Sequence, residues 1–93
     1  MNKAVKARAK EQAELFSVLA CESRLRILAC ITAKKKISVQ DIAEALNMTH
    51  SAVSHQLGIL VTNKILTYKK SGRFTDYTLA KTPQAKAVLK VCK

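Results

Sequence analysis

The stretch ISVQDIAEALNMTHSAVSHQLGILVTN, residues 37–63, carries the reading of this chain. It divides at Asn47-Met48 into a short amphipathic segment and a longer one. In the first, Ser38 is followed three residues later by Asp41, a spacing that resembles a capping box with Asp in place of Glu or Gln. Ile42, Ala43 and Leu46 then give one apolar side, which predicts a helix over about Val39–Leu46. In the second, Thr49 can cap a helix that runs to about Asn63. Val53, Leu57, Leu60 and Val61 fall on one side of that helix, while His50, Ser51, Ser54, His55 and Gly58 fall on or near the other. At about 100° per residue, Ser51, Ser54, His55 and Gly58 span an arc of roughly 100° opposite Val53 and Leu60. A short helix bracing a second one whose outer side is small and polar is the mechanical pattern of a helix–turn–helix. Small side chains let the backbone approach a duplex, and Gly58 allows the closest approach. The serine hydroxyls and the His55 imidazole can bond to base edges or phosphates. The free N–H groups near Thr49 and His50 can meet a phosphate.

Working outward, the flanks read as follows. Residues from about Lys3 to Ala20 form a helix in which Val5, Ala9, Ala13, Phe16 and Leu19 or Ala20 recur at three or four. A second helix covers about Glu22–Thr32, with Leu25, Ile27, Leu28 and Ile31 apolar. Lys34-Lys35-Lys36 reads as a turn, and Ile37 as a strand of one or two residues. Beyond the central stretch the period changes. Ile65–Lys69 and Phe74–Leu79 are rich in β-branched and aromatic residues and are separated by Ser71-Gly72, a hairpin signal. Lys69, Lys70 and Arg73 cluster at its tip, suited to the minor groove or the backbone beside a bound helix. Thr82-Pro83 opens a closing helix, Gln84 to about Val91, that packs through Ala85, Val88 and Leu89. The fold class is therefore mainly α with a small β-hairpin, a winged helix–turn–helix of order α-α-α-α-β-β-α, with residues 1–93 as one domain.

Charge points the same way. Seventeen Lys and Arg against six Asp and Glu give a net charge of +11 in 93 residues. No acid occurs between Ala45 and Thr75, where Lys64, Lys69, Lys70 and Arg73 all stand. None follows Asp76, where Lys81, Lys86, Lys90 and Lys93 follow. A polyanion is the natural partner. No run of apolar residues approaches the roughly 18 needed to cross a membrane. MNKAVKARAKEQ leads into no apolar core of a signal peptide, so a cytoplasmic location is expected. Catalysis is disfavoured, because the chain has no Gly-rich phosphate loop, nucleophile elbow or usefully spaced carboxylate pair. No cofactor is expected.

The runs ESRLRILACI, ISVQDIAEALNMTHSAVSHQLGILVTNKIL and KKSGRFTDYTL together resemble the ArsR/SmtB family of winged-helix repressors, over about Leu15–Leu79. The resemblance implies a homodimer built from the first and last helices, a pseudo-palindromic operator in double-stranded DNA, and repression relieved by an inducer. It places Thr49, His50, Ser51, Ser54 and His55 in the recognition helix and Lys69, Gly72 and Arg73 in the wing. One departure is Gly58, where family members often carry a basic residue.

The metal ligands of such repressors are missing. The third helix starts SVQDIAEAL, without the C-x-C pair, and TPQAKAVLKVCK has no His, Asp or Glu. His50 and His55 lie about 140° apart on a helix, poorly placed to chelate one ion. No metal site is expected. The candidate thiol-sensor residues are Cys21, Cys30 and Cys92. Cys21 lies where the second helix begins, with Arg24 one turn on, and both features favour a thiolate. Cys30 reads as core. Cys30 and Cys92 loosely resemble the pair with which some family members sense oxidants or reactive sulfur. The expected function is a dimeric, sequence-specific transcriptional repressor. The alternative is a winged-helix module that coats DNA without sequence preference or binds a protein.

Overall fold

The computed structural model describes residues 2–91 of the chain. Its elements are α1 (Lys3–Leu19), α2 (Glu22–Lys34), β1 (Ile37–Ser38), α3 (Val39–Leu46), α4 (His50–Thr62), β2 (Leu66–Ser71), β3 (Phe74–Leu79) and α5 (Pro83–Val91). The three strands form one antiparallel sheet in the order β1-β3-β2. This is the expected winged helix–turn–helix order, with β1 added to the hairpin through Ile37↔Tyr77 and Ser38↔Asp76.

The caps set the helix boundaries. Ser38 Oγ accepts from the Asp41 amide at 3.2 Å and opens α3. Thr49 Oγ1 accepts from the Ala52 amide at 3.1 Å and opens α4. Each satisfies a backbone donor that a helix start leaves unpaired. Between them Asn47 ends α3 in the left-handed conformation (φ 53°), which Asn tolerates better than most residues. Thr82 Oγ1 accepts from the Ala85 amide to start α5 and also bonds the Lys64 carbonyl, joining that helix to the turn after α4.

The core is built by α2, α3 and α4 against the sheet. Ile27, Leu28 and Ile31 of α2, Ile42 of α3, and Val53, Leu57 and Leu60 of α4 are fully buried with Ile65. Leu19, Ile37, Leu66 and Val88 complete the cluster.

Several expectations are corrected here. α2 continues to Lys34, because a lysine in the last turn is favourable at the negative end of a helix, and the chain turns at Lys35 (φ 65°). The hairpin turn is Gly72-Arg73; Ser71 is paired in β2, opposite Phe74. β2 starts at Leu66, while Ile65 is buried just before it. The apolar recurrence in α1 marks a face that its own chain leaves open. Leu15, Val18 and Leu19 pack on the core, whereas Val5 and Phe16 are exposed. Leu25 and Leu89 are exposed as well, and Cys30 is half-buried at the margin of the core.

The two sides of α4 should respond differently to truncation. Leu57→Ala should lower the unfolding free energy by about 2–5 kcal/mol, through lost transfer and a cavity. Ser54→Ala, three residues away on the outer side, should shift it by no more than about 0.5 kcal/mol. Urea unfolding at one protein concentration reads both.

Candidate nucleic-acid interface

Burying Val53, Leu57 and Leu60 forces the opposite side of α4 outward. Thr49, His50, Ser51, Ser54, His55 and Gly58 are all exposed, as their spacing predicts. Ser54, His55 and Gly58 line a shallow open hollow with Ile59, Thr62 and Asn63. Asn63 caps the end of the helix, its side-chain amide donating to the Ile59 carbonyl at 2.8 Å. A Cβ added to Gly58 would meet nothing within 4 Å, so packing within the chain does not require glycine there.

Arg24 fixes the flank of this helix. Its Nε donates to Gln56 Oε1 at 2.8 Å and its Nη1 to the Val18 carbonyl at 2.9 Å. One guanidinium thus ties α4 to α2 and to the end of α1, a link between distant residues that the sequence reading missed. This assignment differs from the expected one, in which Arg24 faces the Cys21 thiol. Cys21 occupies the N-cap position of α2, half-buried, and its side chain makes no capping hydrogen bond. Cys92 lies outside the described residues. Among the described residues, no three His, Cys, Asp or Glu side chains come together as a metal would need.

The hairpin stands beside α4, which packs against β2. Gly72 takes φ +63° at the first turn position, a conformation glycine adopts without a steric penalty. Lys69, Lys70 and Arg73 are exposed around the turn. Asp76, the single acid of the hairpin, lies opposite Lys69 and 3.7 Å from Lys36 Nζ. Lys36 was not singled out by sequence, because only the pairing of β1 with β3 brings it there. Tyr68 and Tyr77 lie opposite one another with ring centroids 5.8 Å apart. Burial, and then the neighbouring Tyr68, push the Tyr77 hydroxyl above its usual value of 10.0. The whole arrangement offers hydroxyl and imidazole groups on one helix face and cations on an adjacent ribbon, which is chemistry for base edges and phosphates.

Residues 19–68 match the helix–turn–helix domain family. A transcriptional repressor from Synechocystis, described as an SmtB homologue, is 43% identical over 72 residues, covering 77% of this chain and 54% of that protein. The chain belongs to the ArsR/SmtB family of helix–turn–helix proteins. It spans a little over half the length of the curated ArsR/SmtB relatives it matches. Among solved structures, the antimony-specific repressor AntR is 31% identical with a TM-score of 0.81, over 99% of this chain and 84% of that one. A homodimeric winged helix–turn–helix DNA-binding domain from Mycobacterium bovis is 25% identical with a TM-score of 0.76, over 98% of this chain and 85% of that one.

Gly58 gives a direct test of the geometry. Because the space around it is open and its backbone is helical, Gly58→Ala should stabilise the fold by about 0.5–1 kcal/mol through helix propensity. A loss of stability on urea unfolding would show that the site is closed by the protein itself.

Proposed function

We propose that this ArsR/SmtB-family chain is a homodimeric, sequence-specific DNA-binding transcriptional repressor. Its α4 lies in the major groove, and the β2–β3 hairpin touches the backbone or minor groove alongside. The observation that carries this reading is the outer side of α4: small, polar, free of contacts from its own chain, and adjacent to a basic ribbon. Thr49, His50, Ser51, Ser54 and His55 are the residues of the helix contact, and Lys69, Gly72 and Arg73 those of the wing. The repressor names of the relatives support the reading. The protein acts by occupying DNA and not by catalysis.

Exposed apolar residues on α1 and α5 support the dimer. Val5, Phe16, Leu89 and Val91 are each at least 43% exposed in the single chain. Covering them with a second copy removes that apolar surface from water. Two-fold pairing sets the recognition helices one duplex turn apart, about 34 Å, on an inverted repeat.

Selection of binding sites from a random duplex pool, followed by competition with bulk DNA, tests the proposal. The dimer should hold a selected site against a large excess, and a coating protein should not. Ser54→Ala and His55→Ala should relax sequence choice, while Arg73→Ala should weaken all sequences alike. With roughly six phosphate contacts per dimer, raising salt from about 50 to 200 mM should weaken binding about a thousandfold. Equal loss on every sequence for the two α4 changes would overturn the assignment of that helix.

Repression is proposed to respond to thiol chemistry at Cys21, Cys30 and Cys92. Cys30 is the better placed of the two described thiols, because it packs against the core from within α2, the helix that holds α4 through Arg24. Mild oxidation should change the intact mass, upward where a thiol gains oxygen and downward by two hydrogens where two thiols join, and should lower operator affinity with it. Full cysteine modification with unchanged affinity would remove the sensing role.

A further inference from the structure

We infer that Phe74 is the apolar contact of the wing with the duplex, its ring lying against deoxyribose edges beside the phosphate that Arg73 meets. The inference rests on the DNA-binding reading above and adds to it a contact that is not electrostatic. Phe74 is 56% exposed, directly after the Gly72-Arg73 turn. Its cross-strand partner is Ser71, too small to cover a phenyl ring. The other exposed hairpin aromatic differs: Tyr68 lies on the opposite face and has Tyr77 as its ring partner at 5.8 Å.

The surroundings of Phe74 select its occupant. Alternation along the strands places Phe74 on the same face as Lys69 and Asp76. Asp76 is engaged with Lys36, so the unneutralised charges at the tip are positive. An apolar ring set among cations fits a surface that is polyanionic outside and apolar just within. The walls of a duplex groove are of that kind, with phosphates at the rim and sugar carbons inside. Lys69 and Arg73 meet the rim, and Phe74 reaches past it; Lys70, opposite Thr75, lies on the other face of the ribbon.

This division has a distinct signature in salt. A phosphate contact releases counterions and contributes about one to the slope of log affinity against log salt. An apolar contact releases none. Phe74→Ala should therefore lower affinity for the selected duplex about five- to tenfold at every salt concentration, leaving the slope unchanged. Arg73→Ala, which removes one phosphate contact from each copy of the dimer, should reduce the slope by about two. The chain contains no tryptophan, so Phe74→Trp creates a single reporter at the site. Its emission should change when the selected duplex is added, in step with the anisotropy of the labelled DNA. If wild-type protein holds no selected duplex, the DNA-binding reading fails. If wild type binds and Phe74→Ala, with an unchanged circular dichroism spectrum, binds within twofold of it, this inference alone fails. Emission from the Phe74→Trp variant that is silent to DNA but shifts with protein concentration would place a second copy over the ring and overturn the inference.

Discussion

Three aliphatic side chains on one side of α4 decide what the other side can do. Val53, Leu57 and Leu60 are fully buried, and a helix so anchored has one rotational setting about its axis. Turning it by one residue would bring Ser54 into the buried place of Val53 and carry Val53 to the exposed place of Ala52. The polar side is therefore presented rigidly, as a reading surface must be if its hydrogen bonds are to discriminate between bases. Arg24 adds a second constraint from the flank, holding Gln56 and the end of α1 with one planar donor group. The guanidinium can serve both because its donors are spread in a fixed fork.

The hairpin is stiffened by different means. Its base is anchored by Leu66 and by Tyr77 against the core, and its edge by β1. Its outer half, from Lys69 to Phe74, has no such cover. That half holds charge in place of packing, and the charge is unbalanced, since Asp76 is engaged by Lys36. A ribbon of this sort gains little by folding back on its own protein. It gains a great deal from a neighbouring polyanion, where each lysine or arginine displaces a condensed counterion.

The central helices were legible because local rules and the global fold agree there. The Ser38 and Thr49 caps, the apolar spacing of Ile42 through Leu60, and the Asn47 turn all act within a few residues, so periodicity and capping chemistry suffice. The hairpin turn was misplaced by one residue because Ser71 and Gly72 are both turn formers, and only the pairing of Ser71 with Phe74 decides between them. Arg24, Lys36 and Phe74 were not legible for a common reason. Their roles depend on contacts, or on a lack of contacts, between parts of the chain far apart in sequence. The α1 stripe was legible as a pattern but not as a location. Val5, Ala9, Ala13 and Phe16 show that a face is apolar, and nothing in their spacing says whether the same chain covers it.

That open face bears on how DNA binding of the proposed kind would be regulated. If α1 and α5 hold the two copies together, the separation of the two α4 helices is set by elements that touch no DNA. A change at the dimer helices then alters operator affinity without disturbing any base contact, because two half-sites at fixed spacing cannot both be met by a dimer of altered span. α2 is the mechanical link in this scheme. It packs on α3 and α4, carries Cys30 half-buried beside the core, and reaches both α1 and α4 through Arg24. A covalent change at Cys30 adds volume at a packed margin, where interiors yield by shifting whole elements rather than by compressing. The rigidity that the proposed reading asks of α4 is thus also what would carry a disturbance in α2 to bound DNA.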